Sequence, residues 1–289
     1  MPELPEVEII RQTLDAELVG RTVTRVRVRT RSMVSLPGDP PSGFMRSRKQ
    51  ARPVRMNARL LLHGSTITQT HRHGKQLALV CDTGLAVCIQ LGMTGSMRLE
   101  PGETLPHTHI VWSIDDGRAL RFVDPRRFGL VSGYPSLETL RSERWSRLGP
   151  DALTVSPKAL SEACTGCTRV IKAVLLDQSL IAGVGNIYAD EALFQARVHP
   201  GSPAGLLDRV EVSALARAIR RTLHRALDAG GSTIRDYRTP GGGTGAYQRQ
   251  HLVYARAHQP CQTCAANLMT AQIAQRTTVF CPRCQPHKR

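Results

Sequence analysis

Apolar residues at the start of the chain recur at helical spacing. Val7, Ile10, Leu14 and Leu18 fall on one face of residues 5–19, and Gly20 follows as a stop signal. From residue 21 the period changes to two, with Val26 and Val28 alternating with Arg25, Arg27 and Arg29. Short β-forming runs recur at 66–72, 76–82, 84–91, 109–114 and 118–123, punctuated by Gly, Asp and Pro. Strands in such a series predict a β-sandwich or barrel. Residues 35–58 interrupt it as a polar excursion rich in Pro, Gly, Ser and Arg. After Pro150 the pattern predicts helices at 157–164, 169–178, 186–197 and 208–229, the last with Val212, Leu215, Ile219, Leu223 and Leu227 in one stripe. A Gly-rich stretch, 239–245, then leads to a cysteine-rich end. The expected plan is α+β: an N-terminal β domain with a leading helix (1–131), a linker (132–150), a helical domain (151–255) and a small terminal module (256–286).

Charge narrows the choice of partner. Thirty-nine Lys and Arg against 23 Asp and Glu leave a net charge of +16 in 289 residues. Such an excess favours a polyanion, because each phosphate neutralised releases condensed counterions. Arginine dominates; the lysines are Lys49, Lys75, Lys158, Lys172 and Lys288. No uncharged apolar stretch approaches the ~18 residues of a membrane helix. The first residues, Met-Pro-Glu-Leu-Pro-Glu, carry carboxylates where a secretory signal carries Lys or Arg. The expected location is the cytoplasm, with no membrane partner.

Four of the eight cysteines are regularly spaced: Cys261-x2-Cys264, sixteen residues, Cys281-x2-Cys284. Two such knuckles read as a structural zinc site with four cysteine ligands, which leaves no open position for a water. Disulfides and four unrelated thiols are the alternatives; a cytosolic setting disfavours the first, and the regular spacing the second. Arg276 lies within this module. The other pair, Cys164 and Cys167, reads as ordinary thiols at a helix end, and Cys81 and Cys88 as core residues.

Pro2 and Glu3 admit two readings. Pro2 can be a stiff start to the first helix. If Met1 is removed, it also becomes a secondary amine, partly neutral near its ordinary pKa of ~8, that can attack a sugar anomeric carbon beside a proton-carrying carboxyl. These two residues alone leave both readings open.

Six strings bear on that choice: MPELPEVE at 1–8, HGKQL at 73–77, QLGMTGSM at 90–97, DPRRFG at 124–129, LLDQSLIAGVGNIYADEALF at 175–194 and QRTTVFCPRCQ at 275–285. In these strings, and in their order, the chain resembles the formamidopyrimidine-DNA glycosylases, bacterial repair enzymes that excise oxidised purines such as 8-oxoguanine and formamidopyrimidines. The resemblance implies a β-sandwich, a helix–two-turn–helix domain and a zinc-finger hairpin. It implies base-excision repair by a monomer acting on double-stranded DNA, as glycosylase and as abasic-site lyase by β,δ-elimination, with one structural zinc.

Site residues follow from the same strings. Pro2 would be the nucleophile that forms a Schiff base with C1′, and Glu3 the acid that protonates the opening sugar. Lys75 would assist near the scissile phosphate. Arg276 matches a residue assigned in the family as a proton donor; a guanidinium, which keeps its proton at any working pH, is better suited to clamping phosphate. Met93, Arg126 and Phe128 match the trio that fills the void left by an extruded base. Asn186, closing Gly183-Val184-Gly185-Asn186, and His107 match DNA contacts.

Three departures stand out. Residues 31–58 are longer and richer in Arg than the family pattern. Cys167 falls where relatives carry a basic residue, for which Arg169 is the nearest substitute. Gly241–Gly243 occupy the lesion-capping loop. A pyrimidine-preferring relative of the endonuclease VIII type, which begins Pro-Glu-Gly-Pro-Glu, is disfavoured by Leu4. A non-catalytic damage-binding zinc protein would leave Pro2, Glu3 and Lys75 unexplained together.

Overall fold

The computed structural model describes residues 2–36, 57–102, 105–233, 240 and 242–288. Most of the 31–58 excursion, and Gly241, therefore lie outside the described residues. Two compact units divide the chain, one of Met1–Pro2, Glu6–Ser146 and Ser232–Gly245, the other of Glu3–Pro5, Arg147–Gly231 and Ala246–Arg289.

Helix α1 (Leu4–Leu18) belongs to the first unit from Glu6 onward, and its Val7, Ile10, Leu14 and Leu18 are at most 1% exposed. Burying each such side chain contributes about 1.5–3 kcal/mol. Gly20, at φ +85°, ends the helix in a left-handed turn and donates to the Ile67 carbonyl. Eight strands in order are β1 (Val23–Val28), β2 (Val34–Ser35), β3 (Ile67–His73), β4 (Gln76–Cys81), β5 (Ala86–Gln90), β6 (Ser96–Glu100), β7 (Thr108–Ile114) and β8 (Ala119–Val123), and a ninth, β9, covers Leu130–Tyr134. They form a four-stranded sheet, β1-β7-β8-β6, and a five-stranded sheet, β2-β9-β5-β4-β3. One core joins their inner faces: Val23, Ile110, Trp112 and Phe122 from one sheet, Ile67, Leu77, Val87 and Val131 from the other, and the buried face of α1. This is the expected sandwich.

Residues 132–150 are not a bare linker. Most of β9 lies there, pairing antiparallel with β5 and parallel with β2, and helix α2 (Leu137–Glu143) follows. Gly133 is the reason β9 is hard to read: a Cβ there would meet the Leu60 carbonyl, so a close backbone approach interrupts the apolar pattern.

The second unit holds α3 (Pro157–Cys164), α4 (Ile171–Leu176), α5 (Asn186–Gln195) and α6 (Arg209–Asp228). Helix α6 begins with a capping box: Asp208 accepts from Val210 and Glu211 N–H, and Glu211 accepts from Asp208 N–H. Helix α4 is shorter than the predicted 169–178 because Val170 is extended and pairs with Pro203, while Asp177 leaves helical geometry. Strands β10 (Met269–Ile273) and β11 (Arg276–Phe280) form an antiparallel hairpin. Its apolar side, Leu268, Val279 and Cys281, packs with Phe194 and Val253. Among the described residues no helix is long and apolar enough to cross a membrane.

Candidate active site

In the second unit Glu3 is 1% exposed, and its carboxylate accepts from Ile187 N–H at 3.0 Å and Tyr188 N–H at 3.5 Å. These are orphan donors in the first turn of α5, where the helix dipole favours an anion. Gly185 makes the approach possible, since a Cβ at that position would overlap the Glu3 carboxylate. Leu4 N–H donates to the Gly183 carbonyl at 3.3 Å, and a Cβ on Gly183 would strike Leu4. The two glycines let the chain start lie directly against the turn that leads into α5.

Asn186 stands at the same turn. Its Nδ2 donates to the Thr277 carbonyl of β11 at 3.1 Å, and its Oδ1 is buried with no partner among the described residues. One of the two Nδ2 hydrogens is thus committed to the hairpin. Arg276 opens β11, exposed beside a two-residue turn whose Ala274 and Gln275 both have positive φ, as a type I′ turn requires.

The hairpin is tied to α5 by a buried ion pair that the sequence reading missed. Lys172 and Asp190, both with fully buried side chains, meet at 2.6 Å. Lys172 Nζ also donates to Thr278 Oγ1 at 2.7 Å, and the second Asp190 oxygen accepts from Val279 N–H. Burial pushes Asp190 up to about 6 against the pull of Lys172, and burial likewise lowers Lys172. Glu191, the next residue, accepts from the N–H groups of Leu252, Val253 and Tyr254. Both acids sit in a nearly continuous buried segment, Ile187–Phe194, which reads as plain core in a sequence.

Cys261, Cys264, Cys281 and Cys284 place their sulfurs within 4.8 Å of one another, with 3.9 Å from Cys261 to Cys284 and 3.4 Å from Cys264 to Cys281. Sulfurs at ~2.3 Å from one tetrahedral zinc would stand roughly 3.8 Å apart, so the four fit a single ion. Arg169 is engaged elsewhere: it pairs with Asp177 at 2.9 Å and donates to the Ala173 carbonyl.

In the first unit Pro2 is buried and Lys75 half-buried. Lys75 sits on a two-residue turn between β3 and β4, where His73 pairs with Gln76 and Gly74 has φ +55°. Positive φ at the first central residue alone is the type II′ pattern. Met93 and Phe128 are 37% and 39% exposed, unusual for large apolar side chains, and the Arg126 guanidinium lies 4.6 Å over the Phe128 ring. Their loops are packed together: a Cβ on Gly92 would come within 2.6 Å of the Phe128 backbone. Asp124, fully buried, cross-ties them by accepting from Thr94 Oγ1, Arg126 N–H and Gly129 N–H. His107, at φ +60°, is exposed at a cleft of about 420 Å³ lined also by Arg29 and Arg127.

Residues 1–131 match the family model of the formamidopyrimidine-DNA glycosylase N-terminal domain, 148–238 that of its H2TH domain, and 259–286 a zinc finger found in FPG and IleRS. The formamidopyrimidine-DNA glycosylase of Roseiflexus sp. (strain RS-1) is 39% identical over 293 residues, covering 99% of this chain and 100% of that protein. This chain belongs to the formamidopyrimidine-DNA glycosylase family. The Geobacillus kaustophilus member is 38% identical over 99% of the chain and its own full length. Among solved members, the Thermus thermophilus MutM (Fpg) protein matches with a TM-score of 0.83 and 38% identity over 100% of both chains. The Lactococcus lactis Fpg complexed with abasic-site DNA matches at 0.85 and 29%, over 99% of this chain and 100% of that one.

Proposed function

We propose that this chain is a bifunctional DNA glycosylase and abasic-site lyase of base-excision repair, acting as a monomer on duplex DNA carrying oxidised purines. The observation that carries this reading is the Glu3 carboxylate, buried and pinned by α5 N–H groups, one residue after a proline that becomes a secondary amine once Met1 is removed. A fixed acid beside a nucleophilic nitrogen is what Schiff-base excision needs. The family membership and the relatives solved with damaged or abasic DNA support the same reading.

In the proposed reaction the Pro2 nitrogen attacks C1′ as the glycosidic bond breaks, and the base leaves with that electron pair and is protonated from solvent. The Glu3 carboxylate takes the proton that the Pro2 nitrogen sheds after attack and delivers it to the ring oxygen as the sugar opens, leaving a Pro2 iminium. The iminium acidifies the C2′ proton; its loss expels the 3′ phosphate, and a further elimination expels the 5′ phosphate. Lys75 assists near the scissile phosphate. Arg276 clamps phosphate as a fixed cation, a role suited to an exposed guanidinium at a hairpin turn. Met93 and Phe128 wedge into the emptied stack, and Arg126 faces the orphaned partner base. His107 and Asn186 contact the backbone, Asn186 through the Nδ2 hydrogen that Thr277 does not take. Zinc on Cys261, Cys264, Cys281 and Cys284 would hold the hairpin that presents Arg276.

Borohydride trapping tests the proposal. The protein should become covalently linked to a duplex with 8-oxoguanine opposite cytosine, and Pro2→Gly should abolish the link. An unlinked wild-type protein, or mass spectrometry showing Met1 retained on the active form, would overturn it. An oxidised pyrimidine in the same assay tests lesion preference, since the Lactococcus lactis protein has been solved with such DNA.

A further inference from the structure

Residues just before the helical domain converge on the turn that carries Lys75. The Oε1 of Gln76, the residue after Lys75, accepts from Arg144 Nε at 2.7 Å and from Trp145 Nε1 at 3.1 Å. The Trp145 ring stacks on His73, two residues before Lys75, with centroids 5.8 Å apart. Arg144 reaches further, to Gln90 Oε1 at 2.8 Å and Ser132 Oγ at 3.4 Å, so one guanidinium ties the start of β4 to the end of β5 and the middle of β9. Gln76 and Gln90 are cross-strand partners, which places both acceptors side by side for it. From the other side Arg72 donates to the Gly74 carbonyl at 3.0 Å and pairs with Glu8 of α1 at 2.8 Å.

These contacts are more than a sheet edge requires. A two-residue turn is already fixed in register by its strands. Here both of its flanking residues are gripped by side chains from outside the hairpin, and Trp145 is 8% exposed. A guanidinium has a planar fork that holds several acceptors at set angles, which a lysine in its place would not reproduce.

We infer that Arg144 and Trp145 are positioning residues for Lys75: they fix the His73–Gln76 turn so that the lysine ammonium is presented in one place. The inference rests on the reading of Lys75 as part of the reaction machinery. Reaction rates respond steeply to placement, and a displacement of ~1 Å can cost about a hundredfold.

A mutant cycle under saturating enzyme tests it on an 8-oxoguanine duplex. Arg144→Ala, and separately Trp145→Phe, which keeps a smaller ring against His73 and removes the indole donor to Gln76, should each slow excision by about tenfold or more. The Kd for a duplex holding a non-cleavable abasic analogue should stay within about twofold, because only the reacting geometry has moved. Added to Lys75→Ala, Arg144→Ala should slow excision no more than about twofold further. Equal losses with and without Lys75, unchanged excision in both single variants, or a Kd that weakens in step with the rate would overturn the positioning role. Unchanged excision in Lys75→Ala would instead overturn the reading of Lys75 on which it rests.

Discussion

The carboxylate of Glu3 and the α-carbon of Gly185 lie so close that no side chain fits between them. The acid is held at the helix start by backbone N–H groups, and the glycine is the condition for that approach. Gly185→Ala should therefore push Glu3 off the first turn of α5. Single-turnover excision is expected to fall by about a hundredfold. A substitution at this position that leaves the rate unchanged would mean that the Glu3 placement is not used.

The Lys172–Asp190 pair should show the asymmetry of buried charges. Lys172→Met leaves a buried carboxylate without its cation and is expected to cost about 3–5 kcal/mol in urea unfolding. Adding Asp190→Asn should recover part of that loss. It removes the unpaired charge and keeps an oxygen for the Val279 N–H.

His251 supplies a pH dependence. Buried between Tyr247 and Tyr254, its imidazole is pushed down from the usual range to about 4 by desolvation. Below ~6.5 the unfolded chain takes up a proton that the folded chain refuses until about 4. Stability is thus full above ~6.5 and falls as pH drops through that window, by on the order of 3 kcal/mol. In His251→Phe the difference in thermal midpoint between neutral and mildly acidic buffer should shrink.

Metal removal should act on the hairpin first. A strong chelator is expected to release one zinc per chain, read by elemental analysis, and to weaken duplex binding by about tenfold or more, since a structural site supplies folding free energy. Cys281→Ala should reproduce the binding loss without a chelator. Retained affinity after complete zinc loss would argue against a hairpin role in DNA contact.

What the sequence disclosed, and what it hid, follows from the range of the interactions. Helices α1, α3 and α6 are visible because helical periodicity is a local signal, clearest in the apolar stripes of α1 and α6. The zinc site is visible because two short spacings determine it. Strand β9 escaped notice, and with it the role of Arg144, because the stretch after residue 131 is polar and broken by Gly133. Its partners, Gln76 and Gln90, are 68 and 54 residues away along the chain. Asp124 and Lys172 were hidden for the same reason. An Asp within Asp-Pro-Arg-Arg reads as a turn residue, and a Lys within Ile-Lys-Ala-Val reads as a solvated one. Only the folded chain shows each to be fully buried with several partners.

Helix α5 meets a different neighbour at each of three points along ten residues: the chain start at its first turn, the zinc hairpin at Asp190, and the 252–254 segment at Glu191. It has no idle face on which variation could accumulate. In a saturation scan of the whole gene, this helix should stand out as the longest unbroken run of intolerant codons, more so than the longer α6, which keeps an exposed face.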